Sequence, residues 1–126
     1  MILPFAISAL VAAAAGLSLD VPSGQPLQVH EVRVVEPERQ ILFIGLVAPH
    51  LEGDYAIGYE RASVDMDHLC EQVGLPLVAK ANDIDTDIAE VVLRLMARPI
   101  SYGETNPDVA QFISAYDVTA GDCQWF

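Results

Sequence analysis

Residues 27–47 read LQVHEVRVVEPERQILFIGLV, and this stretch decides the fold class. Polar and apolar residues alternate over 27–35, which is typical of a strand with one solvent-exposed face. The sequence EPER at 36–39 predicts a turn, and 41–47 is a continuous apolar run rich in β-forming residues. We therefore expect a β-hairpin whose second strand is central and buried on both faces.

The strongest helix signal lies downstream of this hairpin. Ser63 is a candidate N-cap, and aspartates follow in the first turn, where the helix dipole favours anions. The apolar residues at helical spacing are Met66, Leu69, Cys70 and Val73. Gly74 and Pro76 predict the end of this helix, which we place at 64–73. Such a short helix is unstable alone, so its apolar stripe is expected to pack on the sheet.

The C-terminal part of the chain predicts further strands. Residues 88–97 (IAEVVLRLMA) contain a valine pair and alternating leucines and are followed by Arg98-Pro99, which favours a strand over a helix. Residues 107–118 fit either a helix or a helical turn followed by a C-terminal hairpin, and we favour the hairpin. The predicted fold class is α+β: an antiparallel sheet of four to five strands with one main helix packed on a face, and a single disulfide.

The disulfide is predicted from Cys70 and Cys123, the two cysteines of the chain. In an exported protein an even number of cysteines usually forms disulfides, and two cysteines allow one intramolecular pairing. This bond would join the helix to the last strand and close a loop of about 54 residues, worth about 4 kcal/mol in the chain-entropy model. Two buried thiols, or an intermolecular or reactive thiol, are the alternatives.

Export is predicted from residues 1–15, MILPFAISALVAAAA, which contain no charged side chain. An apolar core followed by small residues is typical of a secretory signal, with cleavage near Ala15 or Gly16, although a basic residue near the start is missing. The alternatives are a retained anchor and a buried N-terminal segment; a helix over 2–17 would span about 24 Å against a hydrocarbon core of about 30 Å. We divide the chain into a signal peptide (1–15), an extended lead-in (16–26) and a single α+β domain (27–126). The product is expected to be periplasmic or secreted, with no membrane span after leader cleavage.

The charge balance restricts the classes of partner. The 126 residues include 18 Asp or Glu and 6 Lys or Arg, for a formal net charge of −12. Nucleic acid is not an expected partner, because neutralising phosphates requires clustered cations. The chain is also too short for a TIM barrel or a complete dinucleotide-binding enzyme, which need about 200 residues or more. We expect a solvated acidic exterior, with a cationic partner as the alternative.

No pattern in the sequence predicts a catalytic centre, a metal site or a cofactor. Residues 83–87 (DIDTD) resemble the start of a calcium loop, but Ile88 and Arg94 stand where an EF-hand needs glycine and a bidentate glutamate. The three histidines lack the spacing of metal ligands: His30, His50 and His68. The chain also has no nucleophile elbow and no phosphate-binding loop.

Short motifs spread along the chain carry a family resemblance. They are VPSGQP (21–26), DMDHLC (65–70), RP (98–99), YGE (102–104), QF (111–112) and GDCQW (121–125). With them the chain resembles a family of short exported bacterial proteins with no established function. The resemblance implies export and cysteine pairing, and it carries over no catalytic residue. Some members look to have the automatic name acetolactate synthase, which does not fit, because a thiamine-diphosphate enzyme needs several domains and a diphosphate-and-magnesium site.

These observations predict a non-catalytic binding or accessory module of the cell envelope, whose partner is an unidentified protein or small ligand. The aromatic residues line either the core or a binding patch: Tyr55, Tyr59, Tyr102, Tyr116 and Trp125. One alternative is a small hydrolase or metal-dependent enzyme that uses the histidines with nearby carboxylates. Another is an accessory subunit of a membrane complex, anchored by an uncleaved leader. The oligomeric state is left open.

Overall fold

The computed structural model describes residues 10, 14, 16–54 and 56–126. Within these ranges five strands form one sheet and are paired in chain order, and a main helix of 26 residues packs on one face. The strands are β1 (Gln28–Val34), β2 (Ile41–Val47), β3 (Glu90–Met96), β4 (Gln111–Asp117) and β5 (Gln124–Trp125). With the disulfide between Cys70 and Cys123, this architecture confirms the predicted fold class.

The predicted N-terminal hairpin is present. β1 and β2 pair in antiparallel fashion, with an irregularity in register between Val29 and Glu31. β2 lies between β1 and β3, and its five middle residues are buried, so it is the central strand that the apolar run predicted. β2 and β3 are parallel because the helix connects them, whereas the other neighbouring strands are antiparallel.

The helix is longer than predicted. It consists of α1 (Tyr59–Leu69), a π-helical turn (Cys70–Gly74) and α2 (Leu75–Ile84). The predicted N-cap at Ser63 and the predicted end at Gly74 are therefore wrong, and Gly58 occupies the N-cap position. Pro76 is tolerated because the π-helical turn shifts the hydrogen-bond register, and proline then falls in the first turn of α2, where its missing N–H costs little.

Gly74 marks close packing between the helix and the sheet. A Cβ atom at this position would lie 3.3 Å from Cγ1 of Val91 and 3.5 Å from Sγ of Cys70. The backbone of Gly74 is helical, with φ at −61°. The glycine that predicted a helix end therefore allows the helix to approach β3.

The hydrophobic core lies between the helix and the face of the sheet that we call the helix face. Its fully buried strand residues alternate along β2 and β3: Leu42, Ile44, Leu46, Val91, Leu93 and Leu95. Two residues of the predicted signal peptide, Leu10 and Ala14, are also buried in this core. Cleavage was predicted near Ala15 or Gly16; Ala15 and the rest of that peptide lie outside the described residues. Within the described ranges no helix is long and apolar enough to cross a membrane.

The C-terminal elements follow the sequence closely. Residues 88–97 contain β3, and β4 and β5 form the favoured C-terminal hairpin. Ahead of β4, the N–H of Asp108 donates to Oδ1 of Asn106 at 3.1 Å, which caps the predicted turn. The disulfide joins Cys70, at the start of the π-helical turn, to Cys123, just before β5. The sulfur atoms are 2.08 Å apart and the Cα atoms 6.3 Å apart.

Candidate ligand-binding site

The face of the sheet opposite the helix, here called the open face, carries a pocket. The side chains that alternate with the core residues of β2 and β3 lie on it. The β3–β4 loop, residues 97–110, folds back across this face. Between the loop and the strands a pocket of about 580 Å³ remains.

Tyr102 fixes the β3–β4 loop on the open face. Its ring contacts that of Phe43 edge to face, with centroids 4.8 Å apart, and the Arg33 guanidinium carbon lies 5.1 Å from the Tyr102 ring centroid. The backbone N–H of Tyr102 donates to Oε1 of Glu31 at 3.0 Å. Burial acts to raise the pKa of the Glu31 carboxyl, but hydrogen bonds from Arg33 and Tyr102 and the Arg33 charge hold that pKa below its usual value.

The turn after Tyr102 depends on a glycine. The N–H of Glu104 donates to the carbonyl oxygen of Ser101 at 3.0 Å and closes a four-residue turn. Gly103, the third residue of this turn, has φ at +84°, a conformation that glycine adopts at little cost. At the start of the loop the N–H of Ile100 donates to Sδ of Met96 at 3.1 Å. The β3–β4 loop, which forms the roof of the pocket, is thus held in place by several contacts.

The pocket walls are mainly apolar. They are formed by Val35, Ile41, Phe43, Val92, Tyr102 and Ile113. Polar groups also line the pocket: Arg94, Glu104, Thr105 and Gln111. Mainly apolar walls with a few placed polar groups are the usual composition of a small-molecule site.

Arg94 is the buried charge of this pocket. It lies in the middle of β3, and only 6% of its surface is exposed. Its Nε donates to Oε1 of Gln111 at 2.7 Å, and its Nη2 donates to the carbonyl oxygen of Glu104 at 3.4 Å. Among the described residues no carboxylate forms an ion pair with this guanidinium. Burying a cation that has only neutral acceptors is energetically unfavourable, because its lost hydration is not fully replaced.

A second polar cluster lies on the helix side and serves the fold. Asp65 is fully buried in α1. Its carboxylate accepts hydrogen bonds from the N–H of Ser23 at 3.0 Å, from the Ser23 hydroxyl, and from Nε2 of Gln25 at 2.6 Å. Three donors compensate its burial, so Asp65 anchors the 16–26 segment to the helix.

A third cluster connects the helix to the C-terminal strands. Oδ1 of Asp67 accepts hydrogen bonds from the Tyr116 hydroxyl at 2.7 Å and from Nε1 of Trp125 at 2.8 Å. Burial, together with the negative charge of Asp67, raises the pKa of the Tyr116 hydroxyl far above its ordinary value. Tyr116 therefore remains a hydrogen-bond donor across the physiological pH range.

The histidines and the acidic run lie away from the pocket. The histidines are on separate elements: His30 on β1, His50 in the 3₁₀ turn Pro49–Leu51, and His68 in α1. No group of three His, Cys, Asp or Glu side chains is placed to hold a metal ion within the part of the chain that the structure describes. In the acidic run 83–87, Asp85 lies 3.4 Å from Nη1 of Arg39 and follows the last helical residue.

The sequence pattern marked Arg94 only as a misfit in a calcium loop and did not predict its place in the pocket. The available signal was its position inside the apolar run VVLRLMA at 91–97. A residue in the middle of a central strand is buried on either face, and a buried arginine calls for a partner. Of the aromatic candidates, Tyr102 lines the pocket and Tyr116 lies in the core, whereas Tyr55 lies outside the described residues.

The fold and the pocket define a small disulfide-bonded α+β domain with a ligand-sized cavity on its open sheet face. The chain belongs to the family of unknown function DUF6497, whose model matches residues 5–126. No curated protein and no solved structure gives a significant match to the chain. The match spans both cysteines and every residue that lines the pocket.

Proposed function

We propose that this protein is an exported, non-catalytic binding module of the cell envelope, periplasmic or secreted, whose ligand site is the open-face pocket. The observation that carries the proposal is the open pocket of about 580 Å³ with mainly apolar walls. It is built against β2, β3 and β4 and covered by a loop fixed at Tyr102. Small-molecule sites commonly have volumes of about 300–1,000 Å³, so the proposed ligand is a small, largely apolar molecule.

Export is supported by the disulfide and by the composition of the N-terminal segment. Disulfides persist in oxidising compartments and are rare in the cytosol. Residues 1–15 have no charged side chain and would act as the export signal. The formal net charge of −12 favours solubility and disfavours adsorption to anionic membranes.

Ligand binding is tested with the neutral dye Nile red. The oxidised full chain is added to the dye, and binding is measured from the change in dye fluorescence. Ile113 lines the pocket and is 56% exposed, so Ile113→Asn removes part of the wall without opening the core. Ile84, 50% exposed at the end of α2, provides the matched control variant Ile84→Asn. We expect saturable binding that Ile113→Asn weakens by about fivefold, since the lost apolar contact is worth about 1 kcal/mol. Absence of saturable binding, or equal effects of the two variants, would contradict the proposal.

Export is tested by the intact mass of the native protein, measured with and without a reductant. We expect a chain that begins near Gly16 and gains the mass of two hydrogen atoms on reduction. Recovery from the cytosol with free thiols would contradict export. A full-length chain in the membrane fraction would instead support the anchored accessory subunit.

A further inference from the structure

We infer that the pocket binds an amphipathic monoanion, a small molecule with one carboxylate held by Arg94 and an aliphatic tail along the apolar wall. The inference rests on the proposed function and names the class of its ligand. It is carried by a charged side chain that is more than nine-tenths buried, lines the pocket, and has no ion-pair partner among the described residues.

The hydrogen bonds of Arg94 leave donors free for such a ligand. A guanidinium has five N–H donors, and the described structure uses Nε, to Gln111, and Nη2, to Glu104. Nη1 makes no hydrogen bond to a described residue. A carboxylate accepts two parallel N–H bonds from a guanidinium, so it would satisfy the free donors and supply the missing negative charge.

Among the described residues, the protein's own carboxylates on this face form no ion pair with Arg94. In the sheet register Glu31 is opposite Gly45, which is opposite Arg94, so the two charges share a row but lie two strands apart. Glu31 pairs with Arg33 at 2.7 Å and also accepts the N–H of Tyr102. Glu104 is exposed, and it reaches Arg94 through its backbone carbonyl oxygen. An external anion is therefore the counter-charge that the pocket lacks.

The pocket separates a polar end from an apolar end. Gln111 pairs with Met96, which places the polar end two residues beyond Arg94 along β3. In the other direction Val92 is opposite Phe43, and Ile41 lies two residues further along β2. Ile41 is opposite Glu90, which does not line the pocket. The row of Arg94 and the row of Ile41 are four residues apart along the strands. This separation is about 13 Å at the rise per residue of a strand. A single buried cation in a chain of net charge −12 suits one negative charge and an extended tail.

The test compares three ligands with the same tail, octanoate, 1-octanol and octylammonium, by isothermal titration calorimetry on the oxidised full chain. We expect octanoate to bind at least about tenfold more tightly than octanol, because hydrogen bonds to a charged group are stronger than those to a neutral one. Octylammonium should bind most weakly. Arg94→Gln is expected to abolish the preference for octanoate and to leave octanol binding in place. Arg61→Gln, which alters an exposed arginine outside the pocket, is the control and should preserve the preference.

A second variant keeps the test decisive if Arg94→Gln does not fold. Gln111→Glu preserves the shape of the side chain and places a carboxylate next to Nε of Arg94, so the protein supplies its own counter-charge. Octanoate affinity should then fall at least about tenfold, with octanol affinity unchanged. Equal binding of octanoate and octanol to the wild-type protein would overturn this inference while supporting the proposed function. Failure of all three ligands and of Nile red would overturn both.

Discussion

Replacing Cys70 and Cys123 by alanine is expected to lower the free energy of unfolding by about 4 kcal/mol. The two residues are 53 positions apart, so the bond closes a loop that contains α2, β3 and β4. In the chain-entropy model, closing this loop removes about 14 cal/mol/K from the unfolded chain, which gives that value at 25 °C. Typical domains have stabilities of about 5–15 kcal/mol, so the bond supplies a large share of the total.

The same variant should also free the C-terminal strand. β5 has two residues, both exposed, and its pairing with β4 is limited to Tyr116 with Trp125 and Asp117 with Gln124. The hydrogen bond from Trp125 to Asp67 is itself exposed. Such short, exposed contacts do not offset the entropy of ordering the tail, so we expect rapid amide exchange at 119–126 in the double variant.

Urea unfolding followed by circular dichroism measures the loss of stability. Fluorescence of Trp125, the single tryptophan, reports on the tail in the same experiment. The oxidised wild type, the reduced wild type and the double variant are compared, and the last two should agree. We also expect a larger m-value without the bond, because the unfolded chain is then more expanded. A loss below about 1 kcal/mol would refute this reasoning, since it would mean that the bond does not restrict the unfolded state.

Three further substitutions test other parts of the structure. Asp65→Asn should lower the free energy of unfolding by about 2 kcal/mol in urea titrations, because its donors lose a charged acceptor; an unchanged midpoint would contradict that role. Gly74→Val should cost about 1–3 kcal/mol in thermal unfolding, since the new side chain meets Val91, and a stabilised variant would contradict the close approach. The pKa of Glu31 is lowered in the folded state, so the stability that it contributes is present above the unfolded pKa and is lost as the pH falls towards the folded pKa. Protection of the Tyr102 amide against hydrogen exchange should decrease over that acidic range, and Glu31→Gln should remove the pH dependence; an unchanged dependence in the variant would contradict it.

The elements that the sequence predicted well are those decided by local pattern. Alternation and the apolar run at 41–47 identified the first hairpin, and the valine pair with alternating leucines identified β3. The helix boundaries were wrong because Gly74 and Pro76 are local stop signals whose effect depends on tertiary context. A π-helical turn accommodates the proline, and the close approach to Val91 explains the glycine. Neither feature can be recognised from a short stretch of sequence.

The pocket was not predictable because its parts come together through long-range contacts. The roof depends on a hydrogen bond between Tyr102 and Glu31, which are 71 positions apart. Gln111, 17 positions after Arg94, becomes its hydrogen-bond partner only through the register of β3 and β4. An arginine within an apolar strand signals that a partner is needed, but a single sequence does not identify the partner.

Buried charges on the two sides of the sheet are compensated in different ways. On the helix side the buried carboxylate of Asp65 has three donors from the protein itself. On the open face Arg94 has two neutral acceptors and no ion pair among the described residues. Replacing a buried ion pair by apolar side chains of similar volume is often neutral or stabilising, and we extend this reasoning to a buried charge that has no ion-pair partner. Arg94→Met should therefore raise or preserve the free energy of unfolding while abolishing the preference for octanoate. Destabilisation by several kcal/mol would instead assign the guanidinium a role in holding the β3–β4 loop, because its two hydrogen bonds would then matter more to the fold than to a ligand.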